Sequence, residues 1–249
     1  MRATHRWSAA AALTVGLVVA ANAQPPGGGR GMGMGGMGGG PAQLVQSKTV
    51  LAEVKATDEQ AAKLKEWAKE YGTKQMAKMR ETFQELQGLD PMEMRTKMGE
   101  IQAKATAEAY KEIGTVLKDE QVKRLKQIDV QFAGMGAFMR TDVRDALKIT
   151  DDQREKFQTI QMGVFGEMRD LREEYGIQGF GPPKLDSAKQ KEYDRKLAAI
   201  TNEAMTKMAD ALTDDQKKAW KDLTGDKVDV AKIRSEMPAP QFGKKKKDD

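Results

Sequence analysis

A five-residue pattern recurs four times along the 249-residue chain: Ala56-Thr57-Asp58-Glu59-Gln60, Leu117-Lys118-Asp119-Glu120-Gln121, Ile149-Thr150-Asp151-Asp152-Gln153 and Leu212-Thr213-Asp214-Asp215-Gln216. Three copies have the spacing of a capping box. A Thr at N-cap accepts from the backbone N–H of the third helical residue, and a Gln at that third position reaches back to the N-cap N–H. The acidic pair between them sits in the first turn, where the helix dipole favours negative charge. Each such cap is worth about 1 kcal/mol. Lys118 replaces the Thr in the second copy, so that cap is expected to be weaker or to shift to Asp119.

The four copies fall into two pairs. Thr57 and Thr150 are 93 residues apart and Leu117 and Leu212 are 95 apart, whereas Gln121 and Gln153 are separated by only 32. The match extends beyond the caps. Val50, Val54, Lys55, Lys63 and Leu64 align with Val143, Leu147, Lys148, Lys156 and Phe157, and Leu125 and Ile128 align with Trp220 and Leu223. The body therefore reads as one helical unit duplicated in tandem, over 42–136 and 137–230, with a period too long for a solenoid repeat.

Ala, Lys, Glu, Gln, Met and Leu dominate this body and Pro is scarce, which favours helix. Leu64, Trp67, Tyr71, Met76, Met79, Phe83 and Leu86 step by three or four with one five-residue stutter, and Tyr193, Leu197, Ile200, Ala204, Met208 and Leu212 do so without a break. The spacing predicts an all-α fold of long helical hairpins, with turns at Gly88-Leu89-Asp90-Pro91, Gly134-Met135-Gly136 and Gly176 to Pro183.

The ends differ from the body. Arg2, His5 and Arg6 precede the mostly apolar run Ala9–Ala21, and Ala21-Asn22-Ala23 offers small residues where a signal peptidase reads. Residues 1–23 are thus expected to be a secretory signal peptide, too short in its apolar run to span a membrane. Its removal lowers the net charge from +5 to +3. Residues 24–41 form a Gly/Met-rich stretch expected to be a flexible tether, because Gly at that density cannot offset its backbone entropy. Met32, Met34 and Met37 offer thioethers to Cu(I), but their irregular spacing fixes no geometry, and the linker reading is preferred. Residues 231–249, ending in Lys244–Lys247 and two Asp, are expected to be a disordered tail, and four Lys without interleaved aromatics make a poor nucleic-acid signal.

Composition removes most chemistry. The single His is His5 and there is no Cys, so the mature chain has neither imidazole nor thiol. That excludes His- or Cys-based nucleophilic catalysis, zinc sites of the His/Cys type and disulfides. No phosphate-binding Gly loop, G-x-S-x-G elbow or H-E-x-x-H is present. No enzyme, cofactor or metal is expected.

An export signal, a helical Lys/Glu/Gln/Met-rich body and paired Leu-Thr-x-x-Gln motifs resemble the Spy/CpxP family of periplasmic stress and refolding proteins, named for this motif. The full motif stands at Leu212–Gln216, closely approximated at 149–153 and more loosely at 56–60 and 117–121. The resemblance covers most of Val50–Leu223. It implies a curved layer of hooked helices forming a cradle that binds unfolded clients without ATP. Here two units lie in one chain, so the cradle is expected as an intrachain pseudo-dimer, with a homodimer as the other arrangement.

The motif residues to follow are Thr57, Gln60, Leu117, Gln121, Thr150, Gln153, Leu212, Thr213 and Gln216. The candidate client-binding residues are Met76, Met79, Phe83, Met94, Met98, Met162, Phe165 and Met168, since unbranched, polarizable Met surfaces adapt to many partners. Apolar residues at helical spacing more often fill a helix–helix seam, and for any single Met that reading is preferred. Two functions follow: an exported ATP-independent chaperone binding unfolded envelope proteins, or a non-catalytic scaffold or stress-regulatory module binding one specific partner.

Overall fold

The computed structural model describes residues 40–177 and 185–237, apart from a few side chains that include that of Phe83. The expected signal peptide, nearly all of the tether, its three methionines and the Lys run lie outside the described residues. Within them the chain is all-α, with ten α-helices and no strand. None of these helices is long and apolar enough to cross a membrane.

Two short helices, α1 (Pro41–Leu44) and α2 (Lys48–Glu53), lead into the long α3 (Asp58–Glu85). The chain turns at Gly88 into α4 (Pro91–Ile113), started by Asp90, whose carboxylate accepts from the Glu93 N–H at 3.1 Å. Then come α5 (Asp119–Ala133), a 3₁₀ segment (Gly134–Met139) and α6 (Thr141–Leu147). The second long pair is α7 (Asp151–Glu174) and α8 (Ser187–Asp210), followed by α9 (Asp214–Thr224) and α10 (Val230–Glu236). Helices α3, α4 and α7 begin at the cap and turn residues read from the sequence, whereas α8 begins after Asp186, which is not among them, and most of the expected turn at Gly176 to Pro183 lies outside the described residues.

Burial concentrates in three clusters. The first joins α1, α2, the start of α3, the end of α4 and α5 through Leu44, Val50, Leu64, Ile113, Leu125 and Ile128. The second surrounds Phe138 and Phe157, with Val143, Leu147, Met208 and Leu212. These two cores are built from aligned residues: Val50 and Val143, Leu64 and Phe157, and Leu117 and Leu212 occupy matching places. The third cluster, Val164, Met168, Leu171, Tyr193, Leu197 and Ala204, extends the α7–α8 seam outward.

Among the described residues the first hairpin shows no counterpart of that third cluster. Gln75 and Lys78 stand where α7 has Met168 and Leu171, and Gln102 stands where α8 has Leu197. Side-chain hydrogen bonds hold α3 to α4 instead: Trp67 Nε1–H donates to Glu112, and the Tyr71 hydroxyl donates to the Ala105 carbonyl at 2.6 Å. The apolar spacing places Met76 in the α3 seam, but Met76 is 68% exposed. The five-residue stutter after Tyr71 rotates it off the packed face, since 500° of helix overshoots a full turn by 140°.

The two units touch directly. Helices α5 and α9, which follow the second motif of each unit, pack on one another. Gln127 Nε2–H donates to the Asp222 carbonyl at 3.1 Å, and Gln131 Nε2–H donates to the Thr224 carbonyl at 2.6 Å. Gln127 and Asp222 are like positions in the two units, so this contact joins equivalents. Gly225 sits over it with φ of +59°, and a Cβ there would lie 2.3 Å from Gln127 Oε1.

The expected tail begins later than residue 231. Residues Val230–Glu236 form α10, with Ile233 fully buried and Met237 5% exposed against the first core. Ile233 and Met237 supply apolar cover that α1 and α2 need, which outweighs the polar character of the residues between them. Glu236 completes the closure. Its carboxylate accepts from the Ser47 hydroxyl, from the Thr49 N–H at 2.9 Å and from the Thr49 hydroxyl at 2.8 Å. The beginning and end of the folded body are thereby tied together.

Candidate functional site

The motif turns carry a repeated set of side-chain hydrogen bonds. Thr57, Thr150 and Thr213 each accept from the backbone N–H of the Gln three residues on, at 3.2, 3.2 and 3.3 Å. Each Gln side chain accepts from its own N-cap N–H in return. At the copy without Thr the cap does not shift to Asp119. The Lys118 N–H still donates to Gln121 Oε1 at 3.0 Å, so the Gln half of the box persists alone.

Each Gln does more than cap. Gln60 Nε2–H donates to Gln121 Oε1 at 3.0 Å and receives Gln121 Nε2–H at 3.1 Å. Gln153 and Gln216 form the same reciprocal pair in the second unit. Every amide then donates to a carbonyl beside the partner motif: Gln60 to Val116, Gln121 to Lys55, Gln153 to Ala211 and Gln216 to Lys148, between 2.8 and 3.3 Å. Lys55 and Lys148, the acceptors just before the Thr caps, share a left-handed backbone with φ of 52° and 53°. In both, the αL residue closes the preceding short helix with the paired hydrogen bonds of a Schellman turn, 3.0 and 3.0 Å after α2 and 3.0 and 3.1 Å after α6. Leu117 and Leu212 are buried beside the Gln pairs. With their amides so fully engaged with one another, the motif residues are a structural clasp joining the two ends of each hairpin. Gln at the third helical position in all four copies, including the one without Thr, was the sequence signal of this second role.

A buried charge cluster lies where the units meet. Asp129, 2% exposed, accepts from the Tyr110 hydroxyl at 3.0 Å and from Arg140 Nη1–H at 2.7 Å. Burial pushes the Asp129 carboxyl above its ordinary value, and Arg140 and Tyr110 offset only part of that. Burial, and then Asp129 itself, raises the Tyr110 phenol. For Asp142 the balance is opposite: burial opposes its charge, but the Arg140 guanidinium holds its carboxyl low. Nothing in the repeat pattern announces this cluster, because its members are unique to the junction.

The candidate client-binding residues separate. Met168 is 6% exposed in the α7–α8 core, so it is a packing residue and leaves the surface set. It shares the buried face with Phe157, Val164 and Leu171, and this stripe faces α8. Met79, Met94 and Met98 are half-buried. Phe83 lies on α3, with its side chain outside the described ones. Met76, Met162 and Phe165 are exposed, at 68%, 73% and 51%.

Met162 and Phe165 are one turn apart on the α7 face opposite the core. They stand in the run Phe157–Gly166, which carries no charged residue in a chain that is 32% charged. Gln158, Thr159 and Gly163 are exposed on the same outward side. Gly163 and Gly166 have nothing within 4 Å of a Cβ position, so no neighbour within the fold demands glycine there. Each mid-helix Gly costs up to about 1 kcal/mol relative to Ala. The result is an uncharged, partly apolar helix face left open to solvent. Met76 on α3 has Lys74, Lys78 and Arg80 close in sequence and no such neighbourhood.

Among the described residues the chain is all-α, its motif turns are clasped by Gln pairs, and α7 leaves an uncharged, partly apolar face open to solvent. No family model, curated protein or solved structure gives a significant match to this chain.

Proposed function

We propose that this is an exported, ATP-independent chaperone-like protein that holds unfolded or aggregation-prone envelope proteins on a helical surface. The observation that carries the reading is the pair Met162 and Phe165, exposed in the middle of an uncharged ten-residue stretch of α7. A fully packed hairpin has no internal use for two large apolar side chains on its solvent face, and exposed apolar patches serve as contact sites. Met supplies adaptability and Phe supplies area, which suits many loosely matched clients.

The likeness to the Spy/CpxP family supports the same reading through the Leu-Thr-x-x-Gln motifs, and with it a periplasmic or secreted location. Within this proposal the two units stand in for the two subunits of the family's cradle, and contact between α5 and α9 supports a pseudo-dimer in one chain. The chemistry proposed is binding alone.

The test is suppression of aggregation. Purified protein, without nucleotide, is added to a denatured client and light scattering is followed. The wild type is expected to suppress scattering at several-fold molar excess, and M162S/F165S is expected to lose that effect while unfolding at an unchanged denaturant midpoint. Suppression by neither protein, alongside tight capture of one defined partner, would replace the chaperone with a specific scaffold.

A further inference from the structure

The chain has 16 Met and no Cys, so thioethers are its oxidisable sulfurs. Among the described residues they differ sharply in access. Met208, Met237 and Met168 are 0%, 5% and 6% exposed, whereas Met76 and Met162 are 68% and 73% exposed. Oxidation of Met turns a flexible apolar side chain into a polar, chiral sulfoxide and is reversed by dedicated reductases. Of the two exposed sites, only Met162 lies one helical turn from an exposed aromatic, Phe165, within the uncharged stretch of α7.

We propose that Met162 is a reversible oxidation site through which peroxide-class oxidants switch off the α7 contact face, a regulation that rests on the client-binding reading of that face. The thioether sulfur attacks one oxygen of hydrogen peroxide. The O–O bond breaks as the S–O bond forms, and the second oxygen leaves as water after proton transfer. Sulfur is oxidised by two electrons and peroxide is reduced by two. The product places a strongly hydrated hydrogen-bond acceptor at the centre of the uncharged stretch, where apolar client side chains offer no donor and contact would require desolvating it. The buried Met168 and Met208 keep the fold intact while the surface changes, because their sulfurs are covered by packed neighbours.

The full chain is titrated with hydrogen peroxide, and sulfoxide at each Met is measured by peptide mass spectrometry. Client aggregation and binding of an apolar fluorescent dye are read on the same samples. Met162 and Met76 are expected to oxidise about tenfold faster than Met168, Met208 and Met237, in line with their access. Suppression and dye binding are expected to fall as Met162 oxidises, and to return after treatment with methionine sulfoxide reductases A and B. M162L, which cannot form a sulfoxide at this position, is expected to show no peroxide-dependent fall in either readout from its own untreated level. Oxidation of Met162 no faster than Met208 overturns the site. Oxidation of Met162 with suppression and dye binding unchanged, or equal peroxide losses in M162L and wild type, overturns the switch. If untreated protein never suppresses aggregation, the chaperone reading fails separately, and dye binding still decides whether Met162 oxidation alters the face.

Discussion

Gln153 and Gln216 hold each other by two hydrogen bonds, Gln153 Nε2–H donating to Gln216 Oε1 at 2.7 Å and Gln216 Nε2–H donating to Gln153 Oε1 at 2.9 Å. Each carboxamide also caps its own helix and donates to a carbonyl beside the other motif, so neither has a spare polar atom within the clasp. Removing one side chain leaves a half-buried amide without its partner, and the loss is larger than that of one hydrogen bond.

Gln153→Ala and Gln216→Ala are each expected to cost about 1–3 kcal/mol, the range for orphaning a buried polar group. The double variant is expected to cost clearly less than the two singles together, because the second change removes the orphan left by the first. Urea unfolding of the two singles and the double measures this coupling. Strict additivity would show that the pair is a crossing of two independent caps.

Lys55 and Lys148 carry left-handed backbones that a Cβ disfavours by about 1–2 kcal/mol, and glycine removes that strain at some cost in unfolded-chain entropy. Lys55→Gly and Lys148→Gly are therefore each expected to raise stability by about 0.5–1 kcal/mol. Thermal melts of the single and double variants report the gain, whereas a drop in melting temperature would assign the lysine side chains a role outweighing the strain.

The Asp129 carboxyl loses more by burial than Arg140 and Tyr110 return to it. The folded carboxyl titrates above its unfolded value because burial opposes its charge. By linkage, the folded state binds a proton more readily, so this group's contribution improves as pH falls through its raised value towards 3.8. Asp129→Asn keeps the hydrogen-bonding shape without the charge, and because Arg140 stays paired with Asp142 at 2.7 Å, at pH 7 it is expected to cost less than the roughly 3–5 kcal/mol of a buried charge left without a partner. The variant should also lack that acid-side gain, as denaturant midpoints across pH 4–7 will show.

Glu236 behaves in the opposite sense. Burial disfavours its charge, but hydrogen bonds from Ser47 and Thr49 outweigh this and hold its carboxyl below the ordinary 4.5. The contribution is present above the unfolded value and fades as pH falls through the lowered folded one. Glu236→Gln is expected to loosen α10 from α2 at neutral pH and to flatten this part of the acid dependence. Hydrogen exchange at the α2 amides and proteolysis beyond Val230 provide the readout.

Two methionines six residues apart on α7 should respond oppositely to the same change. Met168→Ser removes a buried side chain from the α7–α8 core and is expected to cost about 2 kcal/mol or more. Met162→Ser is expected to stay within about 0.5 kcal/mol, as exposed substitutions do. Chemical denaturation of the two variants separates core from surface at single-residue resolution.

The all-α fold was legible from local signals. Thr57, Thr150 and Thr213 mark helix starts, the run Tyr193 to Leu212 marks a packed face, and Gly88 and Gly134 mark turns, because caps, periodicity and positive φ are set within a few residues. The Met76 position misled, because a five-residue step leaves the packed face and spacing alone shows no neighbour. Met168 and Met162 are chemically identical in the sequence. Only the position of α8 decides which one is covered.

The sequence by itself determined that the described body is helical, where five of its ten helices begin, and that its chemistry contains neither imidazole nor thiol once residues 1–23 are set aside. Those properties depend on local hydrogen bonds and on composition. The tertiary structure decided that the four motif Gln residues clasp in pairs, that α5 meets α9, that Ile233 and Glu236 bring the apparent tail back onto α2, and that Met162 and Phe165 remain in solvent. Each joins or separates residues distant in the chain, through burial and hydrogen bonds that form only when the helices pack.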